Sequence, residues 1–414
     1  MELKTKYQYT YFIYPYIVEE KNYEKYLYKL LMDQNYTMKI FEKEKDFDLY
    51  EYFLPVIRST MFWSIDYDST RMKKLAQIDK KMQANMISKN TCTIFTYNLK
   101  KDIQGKMENS EDGIYFNIAN IEIVCFNTGV CFLLLKTNIE GKNTLTDVCN
   151  FNYKFRSIKA SKYNLKDYEN IKIQTGMFSN IKEINTLIKD ITGNNKGAKE
   201  LNIDTEKFIT YSYACIEQED WNESTNKQLF EKEFYKFANV KKADDQVMLG
   251  EKNIEEKMLL IEGEKYEIYG ISNVATVLLT NDQISANYTK VPHDFERKYL
   301  YNYIFELYKK IHLKQINHEF KQSGKFKKLK ERFINFTQKV WIEETTNEQI
   351  GSMLDIEWRN ILNLNVLYAE VKEKYDVLYK NTNIEKTAKT NKAIVSILAL
   401  LLLLNFIIVI KMFL

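Results

Sequence analysis

Residues 393–410 read AIVSILALLLLLNFIIVI, a run of 18 residues that contains no charged side chain. As an α-helix this run is about 27 Å long, close to the roughly 30 Å thickness of the hydrocarbon core of a bilayer. The alternative is a buried helix of a soluble core, but the length and the absence of charge favour a membrane helix. The sequence therefore predicts one C-terminal transmembrane helix with a short tail, residues 393–414, and the lipid bilayer as its partner.

Lysines are distributed unequally around this apolar run. Four of them, Lys380, Lys386, Lys389 and Lys392, precede the run, and only Lys411 follows it. Because cytoplasmic flanks of membrane helices are enriched in Lys and Arg, this bias places the large N-terminal part in the cytoplasm. The expected protein is single-pass and tail-anchored.

A regular apolar stripe follows the predicted helix from Ile350 to Leu378, directly before the lysines. Its members are alternately four and three residues apart, which is the a/d pattern of a coiled coil, and Glu357 is the one break. The predicted seam consists of Ile350, Leu354, Ile361, Leu364, Tyr368, Val371, Tyr375 and Leu378. Two interpretations stay open: the stripe joins copies of the chain into a homo-oligomer, or it packs on the chain's own globular domain.

The N-terminal part alternates between strand and helix patterns. Tyr9 to Val18 is aromatic and β-branched, and Pro15 within it predicts an edge strand or a bulge, since proline cannot donate to a sheet ladder. The residues Ile121 to Cys125 alternate before Asn127-Thr128-Gly129, and the apolar run Val130 to Leu135 follows. This pattern predicts a hairpin with Gly129 at positive φ and a central return strand.

From Phe295 onward the pattern is helical. The predicted fold is therefore an α/β cytoplasmic domain with a mixed sheet, followed by a long helical stalk and one C-terminal transmembrane helix. The corresponding boundaries are residues 1–294 for the α/β domain, 295–392 for the stalk and 393–414 for the membrane helix with its tail.

Composition limits the classes of partner. Of the 414 residues 45% are hydrophobic and 28% are charged, which is typical of a globular chain. The 60 basic and 56 acidic residues are interspersed, so no nucleic-acid partner is expected. The basic run from Lys321 to Arg332 is a local exception. A solvated helix face is the simpler interpretation of this run, and contact with anionic lipid or an acidic ligand is the alternative.

Motifs that carry chemistry are not found in the sequence. Its 12 glycines form neither a G-x-G-x-x-G nor a G-x-x-x-x-G-K arrangement, and its three histidines lack the spacing of a zinc site. We therefore expect no enzyme, no catalytic residues and no bound cofactor. A divalent cation such as Mg²⁺ would need carboxylates that folding or assembly brings together, so its ligands stay unknown.

Asn405 is the one amide side chain within the apolar run. Polar residues at this depth usually face a protein partner or a water-filled path, because hydrocarbon cannot satisfy their hydrogen bonds. Contact between neighbouring helices and the lining of a narrow pore are the two alternatives for Asn405.

The C-terminal third, best from Phe326 to Ile410, resembles the CorA-type family of divalent-cation transporters. Within it Phe333, Phe336, Trp341, the stretch Gly351 to Trp358, Leu367-Tyr368, Val371-Lys372 and Tyr375 resemble the family's stalk, and Ile121 to Leu135 is similar to a hairpin of its sheet. The resemblance implies an α/β cytoplasmic domain and a stalk helix that continues into a pore-lining membrane helix. The family's Gly-Met-Asn motif is missing, since no glycine follows Gly351, and so is its second membrane helix.

These patterns lead to a functional expectation with one principal alternative. The expected protein is a membrane-anchored, CorA-like oligomer that forms an ion-conducting or membrane-perturbing pore in response to a cytoplasmic signal. The alternative is a tail-anchored sensor or scaffold that transports nothing. An enzyme tethered to the membrane would require a catalytic constellation that the sequence does not contain.

Overall fold

The computed structural model describes most of the chain, with short gaps. The described residues are 3–67, 69–99, 103–107, 114–141, 143–159, 171–174, 182–193, 197–217, 224–246, 259–262, 266–320 and 326–413. Within them, helices cover both faces of a single mixed sheet. The mixed sheet agrees with the sequence-based expectation.

The strands are β1 (Thr5–Ile17), β2 (Tyr36–Met38), β3 (Cys92–Tyr97), β4 (Ile103–Met107), β5 (Tyr115–Phe126), β6 (Val130–Ile139), β7 (Ile171–Gln174), β8 (Lys182–Glu183), β9 (Ile209–Ile216), β10 (Leu259–Glu262), β11 (Glu267–Ile271) and β12 (Ala275–Asn281). Their order in the sheet is β10-β11-β12-β9-β1-β6-β5-β4-β7-β8, and β3 pairs with β5 and with β2. Strands β12 and β9 are parallel, whereas the other described pairs are antiparallel.

The helices are α1 (Tyr23–Met32), α2 (Phe47–Tyr52), α3 (Pro55–Met61), α4 (Ser69–Gln77), α5 (Lys80–Ile87), α6 (Leu145–Phe155), α7 (Ile184–Thr192), α8 (Gly197–Glu200), α9 (Ser224–Asn239), α10 (Lys290–Asp294), α11 (Leu300–Glu319), α12 (Phe326–Lys339), α13 (Gln349–Ile361) and α14 (Leu364–Phe413). A π-helical turn, Phe295–Tyr299, joins α10 to α11, and short 3₁₀ turns occupy Glu20–Asn22 and Ser285–Tyr288.

Strand β1 lies in the middle of the sheet, between β6 and β9. The edge position that Pro15 predicted is therefore wrong for the strand as a whole. The pairing with β9 ends at Ile13, however, and Pro15 lies beyond it, paired only with Phe132 of β6. Its missing N–H consequently leaves no gap in the ladder, and a register shift between Thr5 and Tyr7 supplies a bulge at the other end.

The predicted hairpin is confirmed as β5 and β6. Gly129 has φ +83°, and a Cβ atom at this position would lie 2.0 Å from the carbonyl oxygen of Val18. Both the backbone conformation and the close approach thus require glycine. The return strand from Val130 to Leu135 is fully buried, as expected for a strand covered on both faces.

Alternate side chains of β1 enter two separate core layers. Phe12, Tyr14 and Tyr16 pack with α1, α5, α6, α7 and α9 on one face of the sheet. Tyr9, Tyr11 and Ile13 lie on the other face with α2, α3, α11, α12, α13 and the first turns of α14. The period of two residues places both faces of the strand in contact with helices.

The region expected to begin a projecting stalk at residue 295 instead completes the second layer. Helix α11 is buried along most of its length, including the polar residues Asn302, Glu306 and Lys309. A helix covered on nearly all sides belongs to a core, so residues 295–361 are part of the α/β/α domain in this structure. Only α14, 50 residues and about 75 Å long, extends away from it.

The continuous helix expected from Ile350 to Leu378 is also interrupted. Helix α13 ends at Ile361, and α14 begins at Leu364. Between them Asn363 has φ +55°, a left-handed conformation that asparagine tolerates better than most residues. The heptad pattern therefore extends across two separate helices.

Candidate functional site

The segment that precedes α14 is held tightly against the sheet. Trp358 of α13 is fully buried, and its Nε1 donates a hydrogen bond of 3.0 Å to Thr276 Oγ1 of β12. At Gly351 a Cβ atom would lie 2.5 Å from the Tyr52 hydroxyl, so glycine permits the close approach of α13 to α2. This packing fixes α13 to the domain immediately before α14 begins.

A cluster of four buried charges lies between α11 and α13, and we call it the charged cluster. It consists of Glu306 and Lys309 of α11 with Asp355 and Arg359 of α13. Lys309 Nζ donates to Glu306 Oε1 and, at 3.0 Å, to the carbonyl oxygen of Ile342. The Nε of Arg359 is 3.7 Å from Glu306 Oε2, and its Nη2 donates to the same Ile342 carbonyl.

The charged cluster is satisfied only in part. Asp355 Oδ2 accepts a hydrogen bond of 2.8 Å from Thr345 Oγ1, whereas its Oδ1 has no hydrogen-bond partner among the described residues. The same holds for Glu306 Oε2 and Arg359 Nε. Buried ionic groups gain little net stability when their hydrogen bonds are incomplete, because desolvation opposes the attraction between them. The contact between α11 and α13 is therefore sensitive to any change of charge.

Asp355 is the member of the cluster most responsive to protons. Burial, reinforced by the negative charge of Glu306, raises the pKa of Asp355 to about 7, and the charges of Lys309 and Arg359 oppose this rise. Burial also lowers the pKa of Lys309, although Glu306 opposes the effect. A change near neutral pH would thus alter the charge balance between two helices of the second core layer.

Aromatic contacts attach the first turns of α14 to α12 and to the segment after it. The rings of Trp341 and Tyr368 are stacked with centroids 4.2 Å apart, and those of Phe333 and Tyr375 are 4.9 Å apart. These pairs, together with the buried side chains of Leu364 and Val371, hold α14 to the domain over about three turns.

The predicted seam faces the chain's own domain. Leu354, Leu364 and Val371 are fully buried, and Ile350, Ile361, Tyr368 and Tyr375 pack partly buried against the same core layer. Leu378 is partly exposed. Of the two interpretations, the structure therefore has the stripe packed on its own domain, and the side chains that are buried there are not accessible to a second copy.

One helical segment in the described chain, Thr387–Ile410, is long and apolar enough to cross a membrane. Its mean hydropathy is 3.1, and no part of it is buried against the rest of the chain. Asn405 lies on this segment with its side chain exposed. The structure thus brings Asn405 close to none of the other predicted site residues.

The charged cluster was not predicted from the sequence, in which its members resemble ordinary surface charges. A signal was nevertheless present. Glu306 and Lys309 are i,i+3 neighbours in a segment rich in apolar residues, and Asp355 and Arg359 directly follow Leu354 and Trp358. Charges that share helical turns with so many apolar positions indicate buried ion pairs.

No group of three or more His, Cys, Asp or Glu side chains within the described residues is arranged to hold a metal ion. Comparison of the chain with protein families, with curated proteins and with solved structures finds no match.

Proposed function

We propose that this chain is a single-pass membrane protein in which a cytoplasmic α/β/α domain controls an oligomer of membrane helices. The observation that carries the proposal is the continuity of α14. Leu364 and Val371 are buried in the core of the domain, and the same helix contains the apolar segment Thr387–Ile410. Displacement of α13 or α12 would consequently be transmitted along α14, since packed helices shift as units.

The orientation follows from charge and from cysteine chemistry. Four lysines precede the apolar run, which favours a cytoplasmic location for the domain. All five cysteines are buried free thiols, which suits a reducing compartment.

In this proposal the charged cluster is the element that changes state. Ionisation of Asp355 places a second buried carboxylate beside Glu306, which weakens the contact between α11 and α13. Because α13 leads directly into α14, the altered contact would reorient the membrane helix. A cytoplasmic ligand that moves α12 would act on the same helix through the Trp341–Tyr368 stack.

The apolar segment of α14 gives a separate reason to expect an oligomer. Large aliphatic side chains are exposed around the whole segment from Ile394 to Ile410, and the amide of Asn405 is among them. An amide in hydrocarbon gains free energy from a partner amide or from water, so association of several copies through Asn405 is favoured. A ring of such helices is the simplest path for an ion, in the manner that the resemblance to CorA-type proteins implies.

A membrane-anchored sensor or scaffold that transports nothing is the second candidate. The packing of the predicted seam on its own domain favours it, because Leu354, Leu364 and Val371 are already buried and so are not available as a seam between copies. Under this candidate α14 only anchors the domain.

The test is the mass of the purified full-length protein in detergent by light scattering, followed by flux of Na⁺, K⁺, Mg²⁺ and Cl⁻ from reconstituted liposomes. We expect an oligomer whose flux changes between acidic and neutral pH. Asn405→Leu should weaken association or alter flux, and Asn405→Gln, which keeps the amide, is the matched control. A monomer would exclude a pore built of single helices, and an oligomer without flux at any pH would leave the anchored scaffold.

A further inference from the structure

A polar cleft of about 340 Å³ lies between the turn of the β5–β6 hairpin, α11 and α12. Its lining combines the buried rings of Tyr308 and His312 with several charged side chains. The cationic lining residues are Lys89, Lys328, Arg332 and Lys339, and the acidic ones are Glu20 and Glu331. Burial lowers the pKa of His312 to about 4, so this ring is neutral. Arg332 is also paired with Glu319, so four cations face three carboxylates and the cleft keeps a small excess of positive charge.

Two of the cations already converge on one anionic oxygen. Lys328 Nζ lies 2.8 Å and Arg332 Nη2 lies 2.6 Å from the same atom, Glu20 Oε2. Burial acts to raise the pKa of Glu20, but the hydrogen bonds and charges of Lys328 and Arg332 outweigh burial and lower this pKa. Lys328 and Arg332 thus stabilise an anionic oxygen, as the cations of a phosphate-binding site do.

The other two cations are free to bind a ligand. Lys89 and Lys339 are exposed at the cleft, and neither forms an ion pair with another described residue. They come from different parts of the chain, one after α5 and the other at the end of α12. Cations that converge from separate elements present a concave positive surface, which attracts a compact polyanion more strongly than a flat basic patch does.

The cleft also lies near the start of the membrane segment. Lys330 of α12 lies over the ring of Tyr379 of α14, 4.7 Å from its centroid. Tyr379 is eight residues before Thr387, about 12 Å along the helix. The headgroup layer of a bilayer extends roughly 5–8 Å beyond the hydrocarbon, so the contact between Lys330 and Tyr379 lies on the domain side of that layer.

We propose that this cleft binds a phosphate monoester or diphosphate group, contacted by Lys89, Lys339 and the pair Lys328–Arg332. The group belongs either to a soluble phosphorylated molecule or to the headgroup of an anionic lipid. Binding itself is independent of the proposed function, whereas its effect on the membrane helix rests on that proposal. Glu20 occupies part of the cationic surface in the structure and so competes with the ligand.

The test uses the full chain in nanodiscs of phosphatidylcholine, titrated with inorganic pyrophosphate by calorimetry. Lys89→Gln combined with Lys339→Gln should lower affinity at least about tenfold, because each charge-assisted contact contributes roughly that factor. Lys232→Gln combined with Lys290→Gln removes two exposed lysines that do not line the cleft and should leave affinity unchanged. Glu20→Gln should raise affinity, since it removes the competing carboxylate.

A second arm replaces part of the phosphatidylcholine by phosphatidic acid and measures the thermal unfolding midpoint. A rise in the midpoint that the cleft variant loses and the control keeps, without binding of pyrophosphate, assigns the site to a lipid headgroup. If neither probe binds, or if the cleft and control variants respond alike, the assignment is overturned. Ion flux from liposomes distinguishes the two proposals: pyrophosphate binding without flux preserves the cleft and rejects the pore, and flux without binding does the reverse.

Discussion

The two ends of α14 share one continuous backbone but have opposite surroundings. From Leu364 to Tyr375 the large apolar side chains other than the exposed Val366 pack against α12 and the second core layer. From Ile394 to Ile410 apolar side chains surround the helix, and all the large ones described are exposed. An amphipathic helix finds its partner within its own chain, whereas a helix that is apolar on all sides needs lipid or other copies.

We expect the largest effect on the stability of the domain from changes in the charged cluster between α11 and α13. Lys309→Met should lower the free energy of unfolding by about 3–5 kcal/mol, because it leaves Glu306 buried without its principal partner. Adding Glu306→Gln should restore part of this loss. All four tryptophans precede α14, so their fluorescence during denaturation reports on the domain.

Lys372→Met, on an exposed position of α14, is the control for this prediction. Equal stabilities of Lys309→Met and Lys372→Met would show that the charged cluster is solvated in solution.

A Leu→Ala substitution at the first end of α14 should lower the stability of the domain, whereas the same substitution at the other end should not. Leu364→Ala removes a fully buried side chain and should lower the stability of the domain by about 3 kcal/mol. Leu403→Ala changes a side chain that is 62% exposed and should leave the tryptophan-detected transition unchanged. A comparable loss in both variants would mean that the domain and the membrane segment unfold as one unit.

A smaller effect is expected from pH. Because the pKa of Asp355 is raised to about 7 in the folded state, the folded protein holds a proton that the unfolded chain releases near pH 4. Stability should therefore fall as pH rises from about 4 to 7, on the order of 2 kcal/mol after relaxation of the site, and level off above this window.

Asp355→Asn should remove that part of the pH dependence, and Asp376→Asn, at an exposed position of α14, should retain it. Thermal unfolding midpoints of the three proteins across this range provide the measurement. The same slope in all of them would assign the pH dependence to other groups.

The smallest effect is expected at the aromatic stack between Trp341 and Tyr368. Tyr368→Leu keeps an apolar side chain but removes the stacked ring, which should destabilise the domain by about 0.5–1.5 kcal/mol. Tyr368→Phe retains the ring and should stay within a few tenths of a kcal/mol of the wild type. Chemical denaturation measures the free energy of unfolding of both variants. Equal values for Tyr368→Leu and Tyr368→Phe would show that the stacked ring does not help to attach α14.

Local signals allowed the hairpin and the apolar segment to be predicted. Asn127-Thr128-Gly129 contains its turn information within a few residues, and the 18-residue apolar run needs no tertiary context. The position of β1 depends on a non-local partner: β9 is about 200 residues away, and no pattern around Pro15 shows where that pairing ends.

The same reasoning applies to the C-terminal third, where the sequence left the partner of the stripe open and did not show the helix break. A stripe with a/d spacing has the same sequence whether it faces another copy or its own domain, so Leu354 and Val371 could not be assigned from pattern alone. The helix break at Asn363 is a single residue in a left-handed conformation, without the glycine or proline that usually signals an end. The sequence does show charges among apolar positions in α11 and α13, but which of these charges meet depends on how the two helices pack.

The lysines at the start of the membrane segment have a consequence for selectivity. Lys380, Lys389 and Lys392 are exposed on α14, on the side of the apolar run from which the domain approaches. In a closed ring of such helices, every copy would place these ammonium groups around the entrance. The summed potential at that entrance would repel Mg²⁺ far more strongly than K⁺ and would concentrate chloride or phosphate there. For the proposed pore we therefore expect Cl⁻ flux from liposomes to exceed Mg²⁺ flux.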